Sequence, residues 1–449
     1  MEKTLQKILE KIIPTKQEQE KERAIADKIL NKLKKKGVKP LLVGSLAKDT
    51  DIRGTKDLDI FILFPTSVSR EELKKRGLEI GKELFDEMNL KYEIDYAEHP
   101  YVIGRYNREY TIEIVPCYDT PKKKSAVDRT PYHTKYIRGK LRINPELKNE
   151  IRLLKQFMKG AGIYGAEAKV LGFSGYLSEL LVINYASFEN VIRETAKWKF
   201  GECIDPENLW DDKKLLKYFF PESYLVVVDP TDKNRNVAAA VSRDALSKFI
   251  LACRKFLESP SEEFFFPEEK KINKIKIKSQ IIEKLHKRGT KVISILFSHE
   301  KINPNTLYSQ LRKTDDSIKR QIEHYNFKIL KSGFWTDELN KSIILYEFEL
   351  WKLPDFERRT GPRVDIDIKN QENFSNKYKK QKPYLENGYW VVDTKRKFTD
   401  ALEVVKKIVA EKKGFGKDIK DVEKFEILID DEILRVDDEG FLRFLGGFF

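Results

Sequence analysis

Two aspartates, Asp57 and Asp59, stand one residue apart where the apolar run DLDIFILF begins. On a strand, side chains two apart project to the same side, about 6.5–7 Å from each other. The residues that follow, Ile60 to Phe64, are apolar on both faces, so the strand is predicted to be largely buried. Two carboxylates at the mouth of such a strand repel each other. A bound divalent cation, two protons or nearby basic groups would offset that repulsion. The plain alternative leaves both aspartates in solvent at a strand end.

The stretch just upstream narrows the choice. Gly44-Ser45 closes a short apolar strand, PLLVG, where backbone N–H groups and a hydroxyl can face a triphosphate. Gly-Ser alone marks any turn. Followed twelve positions later, from Ser45 to Asp57, by Asp-x-Asp on a strand, it is far more specific.

Periodicity places the elements around this feature. A helical stripe of Leu5, Ile8, Leu9, Ile12 and Ile13 stops at Pro14, and a second helix carries Ile25, Ile29, Leu30 and Leu33 up to Gly37. After the Asp-x-Asp strand come an amphipathic helix (REELKKRGLEIGKELFDEM) and three strand patterns (YEIDYAEH, YVIGRY and EYTIEIVPCY), the last two hinged at Asn107-Arg108. From Asn149 to about Leu257 the pattern turns helical, with Ser174 as an N-cap, one helix over SGYLSELLVINYASFENVIRETAKW and a single strand, YLVVVDP. Beyond Pro260 small α/β layers return. The expectation is a multidomain α/β and α chain: a mixed head at 1–140, a helical neck at 141–259 and an α/β body and tail at 260–449.

The 449 residues suffice for roughly two to four domains with separate cores. At 40% hydrophobic and 11% aromatic residues the chain is globular. Charged residues reach 35% and the formal net charge is +14, which favours a polyanionic partner over solubility alone. Cys117, Cys203 and Cys253 lie far apart with no CxxC spacing, so neither a disulfide framework nor a zinc site is expected and a reducing cytoplasm fits. No apolar run approaches the twenty or so residues that span a bilayer, so no membrane contact is expected.

The Gly-Ser and Asp-x-Asp arrangement resembles the nucleotidyltransferase superfamily of DNA polymerase β and the poly(A) polymerases. That resemblance implies a third carboxylate on a neighbouring strand, and Glu113 in YTIEIVPCY meets it, with Ile112 and Ile114 on the opposite face. It also implies catalysis by Asp57, Asp59 and Glu113 through two Mg²⁺ ions. The stretches AEHPYVIG, SAVDRTPYHTKY, NEIRLLKQFMKGAGIYGAEAKVLGFSGYLSELL and VVVDPTDKNRNVAAAVS resemble, more closely, the class I, archaeal-type CCA-adding enzymes. The likeness is continuous from about Leu42 to Ser242 and weaker beyond.

The family implies a polymerase β-like nucleotidyltransferase head with neck, body and tail. It implies addition of C, C and A to the tRNA 3′ end from CTP and ATP without a nucleic acid template, contacts to the acceptor stem and T arm, and a homodimer. Carried over by residue, Gly44, Ser45 and Lys48 would meet the triphosphate. His133, Lys155 and Tyr164 would hold phosphates and ribose, and Arg235 would read the base. Two positions depart from the pattern: Lys48 stands where Arg is usual, and Glu113 where Asp is usual. On the residues alone Lys155 reads as a solvated lysine. The rival readings are a poly(A) polymerase or oligoadenylate synthetase-like transferase, and an inactive RNA-binding module on the same fold.

Overall fold

The computed structural model describes residues 1–96, 99–120, 127–268 and 273–449, so Ala97, Glu98, Ser125 and Ala126 of the stretches quoted above lie outside it. The chain separates into two compact units, Met1–Glu269 and Lys270–Phe449.

In the first unit a five-stranded mixed sheet runs β1 (Lys39–Leu42), β2 (Asp57–Phe64), β5 (Tyr110–Tyr118), β4 (Pro100–Tyr106) and β3 (Tyr92–Tyr96) in spatial order. The central pair β2–β5 is parallel and the remaining pairs are antiparallel. Helices α2 (Lys16–Lys35) and α4 (Arg70–Glu87) cover one face. Alternation explains which one. Leu58, Ile60, Ile62 and Phe64 of β2 and Ile112 and Ile114 of β5 form a single apolar cluster with Ile25, Ile29, Leu33, Leu84 and Phe85 of those helices. The odd-numbered residues therefore project to the other face, where Phe61, Val115 and Cys117 build a smaller cluster and Asp57, Asp59 and Glu113 lie ahead of it. The hairpin between β4 and β5 turns at Asn107 and Arg108, both left-handed (φ 52° and 60°), and Glu109 N donates to the Tyr106 carbonyl at 3.1 Å.

A second cluster in the same unit gathers the aromatic residues Phe157, Phe173, Phe188, Phe249, Phe256 and Phe265 from α6 (Leu147–Gly160), α8 (Phe188–Thr195), the helix Arg243–Glu258 and their connections. Ile8 and Ile12 of α1 (Glu2–Ile12) pack into this cluster rather than onto the five-stranded sheet. Three features here differ from the sequence expectation. The long helix is two, α7 (Gly175–Tyr185) and α8, broken at Ala186 (φ 68°), with Ser187 accepting a hydrogen bond from Asn190 N to start the second. The strand Leu225–Asp229 is not alone but sits between Glu202–Ile204 and Asp232–Asn236. The first of these is three residues long and the second is DKNRN, so neither has the apolar alternation that marks a strand. Helix α5 (Thr130–Ile143) was also missed; it buries His133 and Thr134 beside Ile137 and Leu141, and polar residues on the inner face mask the helical period. The Ser174 cap is as expected, accepting from Leu177 N at 3.2 Å.

The second unit centres on a four-stranded antiparallel sheet, with Lys328–Thr336, Lys341–Leu350, Lys291–Ser298 and Phe425–Ile429 adjacent in that order. Helices Pro304–His324 and Ala401–Glu411 pack on one face, and Lys274–Arg288 and Glu439–Phe448 on the other. A three-stranded sheet of Phe356–Arg363, Tyr389–Lys395 and Tyr384–Glu386 carries the helix Ile368–Lys377.

Candidate active site

The parallel pairing of β2 with β5 sets Asp59 directly across from Glu113, and Asp57 across from Thr111. Three carboxylates thus share one face of two adjacent strands. Burial, then repulsion from Asp57, pushes the Asp59 carboxyl up to about 6, against a partial offset from Lys48. Glu113 goes further, to about 8, through burial and then repulsion from Asp59, Asp57 and Asp95. Asp57 is raised by burial and restrained by Lys159 and a Thr111 hydrogen bond. The face is short of positive charge.

Gly44 opens the short helix α3 (Gly44–Lys48), a helical turn where the sequence suggested only a loop. It adopts φ 72°, and a Cβ there would lie 1.8 Å from Asp59 Oδ2. Glycine is required twice over, by the left-handed backbone and by the carboxylate against it. Gly44→Ala should therefore cost at least about 1–2 kcal/mol of stability from backbone strain alone. It should also displace the Asp59 carboxylate, and thermal melts of the variant beside the parent check the loss of stability.

Ser45 lies in the first turn of α3, where its carbonyl accepts from Thr50 N at 3.1 Å. Lys48, at the end of α3, is buried and donates to Glu179 Oε2 at 2.6 Å. Lys155 of α6 is buried as well, contrary to the solvated reading, because Lys148, Arg152, Lys155 and Lys159 form one stripe that grips the loop between α3 and β2. Lys155 Nζ reaches Glu179 Oε1 at 2.9 Å, Thr50 Oγ1 at 3.0 Å and the Thr50 carbonyl at 3.1 Å. Tyr164, just past α6, stacks beneath Lys159 Nζ at 5.4 Å, and its hydroxyl is raised by burial and then by Glu179 and Asp57.

A second hub forms around Asp229, fully buried at the end of the strand Leu225–Asp229. His133 Nε2 donates to its Oδ2 at 2.8 Å and Arg235 Nη1 to the same oxygen at 2.9 Å. Tyr176 Oη, Thr231 N and Thr231 Oγ1 donate to Oδ1 at 3.2, 2.8 and 2.8 Å. The His133 ring lies flat on Tyr176, centroids 3.9 Å apart. Burial lowers the His133 pKa against the pull of Asp229, and the Nε2–H is the donor to the carboxylate. Arg235 leaves 31% of its side chain exposed.

Residues 25–133 match the nucleotidyltransferase domain model, 149–266 the tRNA nucleotidyltransferase second domain and 288–430 the CCA-adding enzyme C-terminal domain. The CCA-adding enzyme of Archaeoglobus fulgidus is 38% identical over 97% of this chain and 96% of its own length. The chain belongs to the CCA-adding enzyme family. The CCA-adding enzyme of Methanosarcina mazei is 36% identical over 98% of this chain and 96% of that relative. Among solved structures, the Cid1 poly(U) polymerase shares 15% identity at a TM-score of 0.48, over 59% of this chain and 96% of that one. The full-length relatives, not this likeness, carry the assignment. As a CCA-adding enzyme the chain is a tRNA nucleotidyltransferase with a polymerase β-like head, and its activity is CCA addition to tRNA.

Sequence reasoning missed Thr50, Lys159, Tyr176, Glu179 and Asp229 in this CCA-adding enzyme. For Glu179 and Asp229 the signal was present: each is a lone acid in an apolar run, YLSELLVI and LVVVD. A charge at such a position has a partner or a task.

Proposed function

We propose that the tRNA 3′-hydroxyl attacks the α-phosphate of CTP or ATP in line, pyrophosphate leaving, with Asp57, Asp59 and Glu113 holding two Mg²⁺ ions and no nucleic acid template. The observation that carries this is the register that sets Asp59 against Glu113 with Asp57 on the same face. The donor set fits the ions: three carboxylates supply oxygen ligands only, and their raised pKa values report a charge deficit that a hard cation would remove. Among the described residues no three His, Cys, Asp or Glu side chains converge closely enough to hold an ion as they stand, so the ion assignment rests on the face that β2 and β5 share. Bound there, the ions would acidify the hydroxyl and offset charge on the leaving phosphates.

The chain's own groups do the rest. Lys48, Lys155 and Ser45 face the triphosphate, and Gly44 lets the backbone approach it. Tyr164 and His133 line the ribose and phosphates. Asp229 fixes His133 and Arg235, and the exposed N–H groups of Arg235 meet the Watson–Crick edge of the incoming base. Incubation with a tRNA lacking its CCA end tests the reading. Addition of two C and one A followed by arrest is expected. An open-ended A tract would instead mark a poly(A)-type transferase, and no incorporation an inactive module.

The second unit supplies the surface for the acceptor stem and T arm, read as a backbone shape rather than as sequence. Supporting this are the net charge of +14 and the exposed Lys377, Lys379, Lys380 and Lys382 beside the three-stranded sheet. If about six phosphates are neutralised, raising salt from about 50 to 200 mM should weaken tRNA binding roughly a thousandfold. Filter binding across that range measures the slope, and a flat response removes the electrostatic surface.

A further inference from the structure

Among the described residues Glu179 is the one fully buried carboxylate that joins both lysines assigned to the triphosphate, and the mechanism above gives it no task. It lies on α7, Lys155 on α6, and Lys48 and Thr50 on α3 and the loop after it. Each lysine takes a different oxygen: Lys48 Nζ meets Oε2 at 2.6 Å and Lys155 Nζ meets Oε1 at 2.9 Å. Thr50 Oγ1 closes the ring, donating to Oε1 at 2.8 Å while accepting from Lys155 at 3.0 Å. The relative exposures are 0% for Glu179 and Thr50, 2% for Lys155 and 8% for Lys48.

We propose that Glu179 is a positioning residue for the incoming nucleotide, its carboxylate holding the Lys48 and Lys155 ammonium groups at fixed places for the triphosphate. The inference rests on the reading of those two lysines as triphosphate contacts.

Three physical points carry it. Two ammonium groups buried side by side without a shared anion repel each other and face a large desolvation cost, so they would separate or lose a proton. A single carboxylate cannot neutralise two ammonium groups, so Lys48 also answers to Asp59 across the acidic face, which leaves it placed between Glu179 and the site proposed for the triphosphate. The ring also lies beside the carboxylate face: Lys48 is within electrostatic range of Asp59, and a Cβ at Gly175 would lie 3.0 Å from Tyr164 Oη and 3.9 Å from Lys155 Nζ. Stability alone is a weak explanation, because apolar replacements of buried ion pairs are often neutral or stabilising. Groups arranged in advance of binding forfeit less affinity to ordering.

Glu179→Gln keeps the shape and removes the charge. The expected result is a KM for CTP and for ATP raised alike by about 10- to 100-fold, with kcat within about threefold and the KM for tRNA within about twofold. Direct binding adds a readout that general loosening would not give: affinity for CTP and ATP should fall while affinity for CMP and AMP holds. Nucleotide KM unchanged or lowered would overturn the inference, as would an equal loss for triphosphates, monophosphates and tRNA. Should the Gln variant fail to fold, Glu179→Asp retains the charge one methylene back. It should raise nucleotide KM about 3- to 10-fold with tRNA KM unchanged, and parental values there would equally overturn the inference. Lys155→Met separates the two levels of the argument. If it leaves triphosphate binding intact, the lysine assignment falls and the inference with it. If it weakens binding while both Glu179 variants behave as the parent, the inference alone falls.

Discussion

Replacing Asp59 with Asn should abolish nucleotide incorporation, by on the order of 10³-fold or more, while leaving tRNA affinity within about twofold of the parent. Asp59 is the carboxylate between the other two: Asp57 stands two residues before it on β2 and Glu113 lies across from it on β5. Asn preserves the volume beside Gly44 but removes the charge that a shared cation requires. The same substitution should not weaken the fold. The Asp59 carboxyl ionises at about 6 in the folded chain, against 3.8 ordinarily, chiefly because it is buried and faces Asp57. The folded state therefore binds the proton more tightly than the unfolded chain. The ionised group opposes folding above pH 6, and the penalty fades as pH falls through that value toward 3.8. At pH 7.5 the Asn variant should melt at the parent temperature or a few degrees above it. A dead enzyme that is at least as stable separates a functional carboxylate from a structural one. A variant that keeps the parent rate removes Asp59 from the mechanism.

Much of this centre was legible in the sequence because it depends on alternation, which is local. Once DLDIFILF is a strand, Asp57 and Asp59 must share a face, and YTIEIVPCY puts Glu113 opposite Ile112 and Ile114 by the same rule. What alternation cannot supply is partnership across distance. Lys48 and Glu179 are 131 positions apart and His133 and Asp229 are 96 apart, and each pair joins elements that only the tertiary fold brings together. Lys155 read as solvated because nothing local says that a helix between Leu154 and Phe157 is covered on its polar side too. Elements that carry little apolar pattern were lost for a related reason. The strand DKNRN is held by pairing with Leu225–Asp229, and α5 spends its inner face on His133 and Thr134. In the second unit the long apolar strands were readable, whereas Phe425–Ile429, five residues long, gains its place by pairing with Lys291–Ser298.

The proposed magnesium requirement should depend steeply on pH. In the chain alone the Glu113 carboxyl is pushed up to about 8 and Asp59 to about 6, in both cases first by burial and then by neighbouring carboxylates. Below pH 8 the acidic face is therefore protonated at Glu113, and below pH 6 at Asp59 as well. A cation that needs both groups ionised must displace those protons, so its apparent affinity falls tenfold for each proton displaced and each pH unit below the relevant value. Between pH 8 and pH 6 one proton is at stake, and the magnesium concentration for half-maximal incorporation should rise about 100-fold. Below pH 6 the slope should double. Saturating magnesium should flatten the pH–rate profile, because binding draws both carboxyls into the ionised form. Calorimetry separates this linkage from the chemical step: magnesium titrated at pH 7 in two buffers of different ionisation enthalpy should release close to one proton per site. Glu113→Gln should abolish that release, since the group with the highest affinity for the proton is gone. A magnesium requirement that stays constant from pH 6 to pH 8, with no proton released, would remove Glu113 from the ion site and return it to the sheet as an ordinary buried acid.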